Sequence, residues 1–296
     1  MPPFICRLAC KLAFWRRDKK RAVAETAPSL AVVPCPENWR GVASVAVGTK
    51  HLKAQPPVPC QDAAVARAGA GARPCAFVAD GAGSASLSHF GAQEAVLRLS
   101  HLSAALEDIH ARMLDGAESP SEEECNVYAR RFLIHASETL RGLSDCKRRP
   151  FKEFRCTLLA AIVGAERIFW MKVGDGQIVK EKNGEDLQAV GPSGKGEYAN
   201  ITRFVEENPE KTVFAAGVFS SAEISGIALM TDGAAEKLVS SDGKRVAPRI
   251  AKFFTGIRQK EFGKDDLHNF LSDLEVWKPP GYTGDDKGIA LLSREK

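Results

Sequence analysis

Hydrophobic positions change period several times along this chain, and each change marks a predicted element. Gly41–Gly48 partly alternates and reads as a strand. The proline run Pro56-Pro57-Val58-Pro59 forces an extended loop. That loop delivers Cys60-Gln61-Asp62, and a second strand begins at Ala63. A Gly/Ala-rich connection from Arg67 to Pro74 then leads into Cys75-Ala-Phe-Val-Ala-Asp80. An apolar run closed by a turn residue is the mark of a buried strand.

From Ser88 the period becomes helical. Ala92, Val96, Leu99, Leu102, Leu106, Ile109 and Met113 fall at three-and-four spacing, which predicts one amphipathic helix. Asp115-Gly116 through Pro120 breaks it. Ser121-Glu-Glu-Glu124 resembles a capping box. It opens a second helix with Tyr128, Phe132, Ala136, Leu140 and Leu143 on one stripe, and the pair is expected to lie antiparallel on a sheet. Strand signals return in Cys156–Val163 and Arg167–Val173, a hairpin through Gly164–Glu166. Gln177–Glu181 and Asp186–Val190 form another around Asn183-Gly184, a strong turn dipeptide. Gly191 to about Phe219 reads as an irregular flap. Gly226–Met230 is a strand, helical segments occupy about 247 to 276, and a loop from Gly281 feeds a final strand ending at Leu292. Strand blocks and helix blocks are segregated, which favours α+β layers over an alternating parallel sheet.

Three of the apolar runs end in Asp-Gly, at Asp80-Gly81, Asp175-Gly176 and Asp232-Gly233. A single Asp-Gly is most simply a turn, and Asp115-Gly116 and Asp242-Gly243 are read that way. Three carboxylates fixed at the ends of core strands are another matter. Clustered carboxylates repel unless a cation joins them, which suggests a hard-metal site. Asp62 and the pair Asp285-Asp286 add acidic positions at further loop–strand junctions.

Composition narrows the class. The chain has 296 residues, 44% hydrophobic and 26% charged, and a net charge of +4. These values fit a globular protein and give no case for nucleic-acid binding. None of the eight cysteines forms a Cys-x-x-Cys pair, so a zinc site is disfavoured. Several lie in apolar segments as small reduced core residues do, so a reducing cytoplasm with no disulfide framework is expected. No run is long enough to span a bilayer. Residues 1–38 read as a tail and linker: an apolar start, the basic run Arg16-Arg17-Asp18-Lys19-Lys20-Arg21, then Ala and Pro. The charge follows the apolar stretch, the reverse of a secretory signal. Contact of this tail with an anionic membrane surface is conceivable, and a disordered or partner-binding tail is the favoured reading. The folded part is assigned to residues 39–296.

Taken in order, Pro59-Cys60-Gln61-Asp62-Ala63, Val78-Ala79-Asp80-Gly81-Ala82-Gly83-Ser84, Thr157-Leu158-Leu159, Val173-Gly174-Asp175-Gly176, Met230-Thr231-Asp232-Gly233 and Gly284-Asp285-Asp286 resemble the metal-dependent type 2C Ser/Thr protein phosphatases, in their bacterial-like branch. The resemblance covers residues 39 to 292. It implies a four-layer α-β-β-α sandwich with two central, mainly antiparallel sheets and a metal site at one end. It also implies two Mg²⁺ or Mn²⁺ ions bridged by Asp80, with the Gly81 carbonyl binding one of them directly or through water, Asp232 and Asp285 completing one metal's shell and Asp62 serving the other. Asp175 would be an outer helper or hold a third, weaker ion, and Asp286 would orient its loop. The implied nucleophile is a metal-bound water, with no side chain assigned. Two divalent cations ~3.5–4 Å apart neutralise the phosphate monoester and acidify that water.

The chain departs from the family pattern in two places. Ala82 stands where many members carry a general-acid His, which leaves the proton donor unassigned. The usual phosphate-binding Arg before the Gln-Asp step is also missing; that stretch is Gln55-Pro56-Pro57, with His51 upstream. His51 is therefore a candidate for contact with phosphate or a metal-bound water, with a structural or capping role as its alternative. Ser84 is a candidate hydrogen-bonding residue, with a turn role as the simpler account. The expected activity is hydrolysis of phosphoserine or phosphothreonine in proteins, with a partner Ser/Thr kinase expected by analogy. The rivals are a non-catalytic partner-binding domain of the same fold and a phosphatase for small metabolites.

Overall fold

The five residues Cys75 to Ala79 show why the predicted strands are apolar at consecutive positions. Cys75, Phe77 and Ala79 enter one core cluster, while Ala76 and Val78 enter another. Side chains alternate across a strand, so a strand covered on both faces loses its polar positions. The computed structural model describes residues 36, 38–69, 71–192, 202–274 and 283–295. The tail expected over residues 1–38 lies outside them, apart from Pro36 and Asn38.

In chain order the elements are β1 (Trp39–Ala46), α1 (Thr49–Leu52), β2 (Asp62–Gly69), β3 (Ala72–Asp80), α2 (Ser88–Ala105), α3 (Glu107–His110) and α4 (Glu122–Lys147). There follow β4 (Leu158–Val163), β5 (Arg167–Val173), β6 (Gln177–Lys182), β7 (Asp186–Val190), β8 (Ala215–Ser220), β9 (Ile224–Met230), α5 (Asp232–Leu238), α6 (Arg249–Gln259), α7 (Lys264–Asp273) and β10 (Lys287–Arg294). Two five-stranded sheets result, ordered β1-β10-β9-β6-β7 and β2-β3-β4-β5-β8. Every pairing is antiparallel.

Three apolar clusters make four layers. Ala76, Val78, Leu159, Ala161, Leu229 and Leu292 meet between the sheets. Leu99 of α2 and Phe132, Leu133 and Leu140 of α4 cover one sheet's outer face. Phe253 and Phe254 of α6 and Leu267 of α7 cover the other. Each such buried Val, Leu or Phe side chain contributes roughly 1.5–3 kcal/mol relative to exposure. The fold is thus an α+β sandwich with helices on both outer faces, and its acidic strand ends gather at one end. Among the described residues, no helix is long and apolar enough to cross a membrane.

Local signals hold in detail. Ser121 and Glu124 make the reciprocal capping box of α4. Asn183 (φ 52°) and Gly184 (φ 83°) occupy the left-handed region in the β6–β7 turn, where glycine carries no Cβ penalty.

Three expectations need correction. The helix predicted from Ser88 to Met113 is broken at Leu106: α2 stops at Ala105, α3 is four residues long, and Ala111–Asp115 forms a π-turn. The apolar stripe continues across the break because all three pieces rest on the same core, so periodicity alone could not reveal it. The segment read as irregular from Gly191 to Phe219 contains β8, an edge strand on β5; residues 193–201 lie outside the described ones. Its Ala215-Ala216-Gly217 start is only half-buried and carries little alternation. Finally, Asp115 is more than a turn residue. Its side chain is fully buried, and its carboxylate accepts from Arg73 at 2.7 and 3.1 Å and from the Ala165 amide at 2.6 Å. Asp242, by contrast, sits in an exposed turn and caps Ser240 and the Lys244 amide.

Candidate metal centre

Antiparallel register places Asp62 at the start of β2 directly opposite Asp80 at the end of β3. Asp80 leads into Gly81, whose amide donates to the Gln61 carbonyl at 3.1 Å. A Cβ at Gly81 would come within 2.8 Å of Ser88, so glycine lets this turn close. The Asp80 amide donates to Thr157 Oγ1 at 2.9 Å, and the Thr157 amide donates to the Asp80 carbonyl at 2.8 Å. The β3 end is thereby locked to the β4 start. Asp175 follows β5, and Asp232 opens α5 just after β9.

These strand ends bring Asp80, Asp175 and Asp232 together, with one carboxylate oxygen of each within 4.8 Å of the others. Thr202 Oγ1 donates to Asp175 Oδ2 at 2.8 Å, while Asp175 Oδ1 is buried without a hydrogen-bond partner. Burial pushes the Asp80 carboxyl well above its ordinary value, and the carboxylates of Asp62, Asp232, Asp285 and Asp175 push it further. Burial likewise raises Asp232 to about 7, with Asp175 and Asp285 adding to the effect. Asp62 is also raised by burial, against the opposing hydrogen bond that its Oδ2 accepts from Thr231 Oγ1 at 2.6 Å.

Beside this triad lies a second group, His51, Asp285 and Asp286, with ligand atoms again within 4.8 Å. Asp286 is almost fully buried. Its carboxylate accepts from the Gly48 amide at 2.7 Å and the Gln61 amide at 2.6 Å, and it meets His51 Nδ1 at 2.8 Å. The other ring nitrogen, Nε2, lies on the side of Asp285, 4.0 Å from its Oδ1. Asp285 itself is partly exposed and lies 3.8 Å from Lys50 Nζ. Gly48 must be glycine here, because a Cβ would meet the Asp285 backbone at 2.3 Å. Ser84 is an exposed turn residue.

The structure thus brings Asp80, Asp175 and Asp232 into one group and Asp285, Asp286 and His51 into its neighbour. Asp62 faces Asp80 but turns its Oδ2 to Thr231. Several participants carried no role in the sequence reading. Thr157, Thr231 and Thr202 anchor Asp80, Asp62 and Asp175. Glu236, one helical turn after Asp232, is raised by burial and by Asp285. The i, i+4 spacing of Asp232 and Glu236 was a readable signal for the last; Thr157 and Thr231 lie within pieces that carry the resemblance, but the contacts the threonines make cross between elements and could not be read.

The residues fit a hard divalent cation. In the group of Asp80, Asp175 and Asp232 the donors are all oxygen, several carboxylates are forced together at an energetic cost, and one buried oxygen of Asp175 has no protein partner.

A two-sheet sandwich with helical outer layers and an oxygen-donor cluster at one end is the framework of a metal-binding α+β protein. The profile of the protein phosphatase 2C family matches residues 47–272, and the chain belongs to that family. It is 29% identical over 265 residues to Serine/threonine-protein phosphatase 3 of Escherichia coli (strain K12), covering 86% of this chain and 98% of that protein. Among solved structures it is similar to the serine/threonine phosphatase Stp1 from Staphylococcus aureus (TM-score 0.59, 13% identity, 89% of this chain and 98% of that one). It is also similar to the Mycobacterium tuberculosis serine/threonine phosphatase PstP/Ppp (TM-score 0.56, 13% identity, 87% and 99%). At such identities the structural likeness speaks for the fold.

Proposed function

We propose that this protein hydrolyses phosphoserine and phosphothreonine in proteins, using two Mg²⁺ or Mn²⁺ ions held by Asp80, Asp175, Asp232 and Asp285, with Asp62 and Gly81 shaping the same end. The observation that carries this reading is the convergence of Asp80, Asp175 and Asp232, with the Asp175 Oδ1 atom left without a partner. Bound divalent cations would offset the charge of the phosphate monoester and acidify a water for in-line attack on phosphorus. The P–O bond to the substrate side chain breaks, and the leaving oxygen takes up a proton.

The chain's own residues supply position. Thr157, Thr202 and Thr231 fix the carboxylates of Asp80, Asp175 and Asp62 or the backbone that carries them. Asp286 holds His51, Gln61 and Gly48 in one unit, so that Asp285 and the β2 start keep their places. Preorganised anchors of this kind spare the site from reorganising during reaction. The five described cysteines are free thiols, which fits a cytoplasmic setting; a Ser/Thr kinase as the source of the substrate is proposed by analogy.

The test is hydrolysis of a phosphothreonine peptide by the full chain with Mn²⁺, with chelator, and by Asp80→Asn, against a sugar phosphate as comparator. Activity on the peptide that requires Mn²⁺ and Asp80 is expected. Activity surviving chelator and substitution overturns the two-metal site, and a preference for the sugar phosphate overturns the protein substrate.

A further inference from the structure

Arg155 stands on the rim of the acidic end without an acidic partner. Its carbonyl accepts from the Ala82 amide at 2.9 Å, and the next residue, Cys156, bridges Gly81. Its backbone therefore lies directly against the Asp80-Gly81-Ala82 turn. On the other side the Val205 amide donates to the Cys156 carbonyl at 2.9 Å, which brings residues 202–205 alongside. Thr202 of that segment holds Asp175, and Phe204 lies under the Arg155 guanidinium at 5.5 Å from its ring centroid. Arg155 is thus bracketed by the two segments that carry Asp80 and the anchor of Asp175.

Its Nε is buried with no hydrogen-bond partner, and it forms no ion pair among the described residues. A buried donor left unsatisfied costs about 1–3 kcal/mol, so this N–H calls for an acceptor that arrives from outside. The cation–π contact with Phe204 helps hold the guanidinium in place, and a planar fork of N–H donors matches the oxygens of a phosphoryl group. Lys50, another cation at this end, is already set against Asp285 and is well exposed. The segment before Gln61-Asp62, Gln55-Pro56-Pro57, offers no cation of its own.

We infer that Arg155 is a substrate-binding residue that contacts the phosphoryl group of the phosphomonoester, in place of an arginine upstream of Gln61-Asp62. This rests on the phosphatase reading above. The contact is made to the phosphate in ground and transition states alike, so it acts on KM more than on kcat.

The experiment compares wild type, Arg155→Ala and Arg155→Lys as full-length Mn²⁺-loaded proteins. It measures kcat and KM on a phosphothreonine peptide and the binding of inorganic phosphate by calorimetry, with thermal midpoints as the control for folding. Arg155→Ala is expected to raise KM and weaken phosphate binding each by about tenfold, the worth of one charge-assisted hydrogen bond. Arg155→Lys, which keeps the charge and loses the fork, should recover part of the loss. Unchanged KM and phosphate affinity in both variants overturn the assignment while leaving the phosphatase reading intact. Arg155-dependent phosphate binding in a wild type that cleaves no phosphopeptide supports the assignment and removes the phosphatase reading instead.

Discussion

Asp62 and Asp80 face each other across the β2–β3 pair, and burial holds both carboxyls above their ordinary protonation range, with the Asp62 charge adding to the effect at Asp80 and Asp286 and Asp232 adding to it at Asp62. Two like-charged groups directly opposed on a sheet are destabilising unless something offsets them. The end of the sandwich is therefore under electrostatic load in the absence of cations, and a bound divalent ion would relieve it.

Asp80→Asn should separate stability from activity. In chelator at pH 8 the variant should melt higher than wild type, because one repelling carboxylate is gone; each kcal/mol moves the midpoint by about 2–4 °C in a domain of this size. With Mn²⁺ the order should reverse, since wild type gains binding energy that the variant lacks. Phosphopeptide turnover should fall by more than the roughly 10–100-fold expected for loss of an outer partner of a metal. Thermal melts in the two buffers and a turnover assay check all three.

The neighbours Asp285 and Asp286 should behave differently. Asp286 satisfies two backbone amides and His51 in a buried position, so Asp286→Ala strands three donors and should cost about 3 kcal/mol or more. Asp285 is partly exposed and makes longer contacts. Asp285→Ala should leave stability within about 1 kcal/mol and abolish most Mn²⁺-dependent activity. Urea denaturation in chelator, paired with turnover, distinguishes the two.

A contrast between two Asp-Gly turns tests the far end of the fold. Asp115→Ala leaves the buried Arg73 without its enclosed partner and should cost about 3–5 kcal/mol. Glu107, half-exposed, remains to soften that loss. Asp242→Ala removes an exposed cap and should cost about 1 kcal/mol or less. Chemical denaturation of both variants reads the difference.

His110 sets a pH dependence. It is fully buried, its Nδ1 pairs with the Tyr128 hydroxyl and its Nε2 donates to the Ser103 carbonyl at 2.7 Å. Burial lowers its pKa to about 4, with Arg73 adding to the lowering and Glu107 and Asp115 opposing it. Below the unfolded value near 6.5 the unfolded chain binds the proton more readily. The contribution of His110 is therefore complete above about pH 6.5 and is lost as pH falls through about 4, a span worth on the order of 3 kcal/mol. Asp232, raised to about 7, works in the opposite sense, so the quantity to measure is the difference between wild type and His110→Gln. That difference should shrink steadily from pH 7 to pH 4; a constant difference would refute the assignment.

Much of this could be read along the chain. The run ending at Asp80 announces a strand, Ser121 and Glu124 announce a helix start, and Asn183-Gly184 announces a turn, because each signal lies within a few residues of what it controls. The ordered acidic pieces announced the family for the same reason. What failed to show was equally consistent. β8 is an edge strand with half-buried small residues, and the break at Leu106 leaves the apolar stripe intact, so neither changes the local pattern.

The sequence by itself determined the strand and helix blocks, the α+β class and the set of aspartates at strand ends, since periodicity and turn chemistry are local properties; the two-sheet sandwich was implied by the family resemblance. Only the tertiary structure decided which carboxylates share a site. The meeting of Asp80, Asp175 and Asp232, the grip of Asp286 on Gly48 and Gln61, and the placing of Arg155 over Phe204 all join residues far apart in the chain. Such contacts follow from strand order and register, which the whole core fixes at once and no short stretch encodes. The same rule made Asp115 an ion-pair partner and left Asp242 a turn, though both precede a glycine.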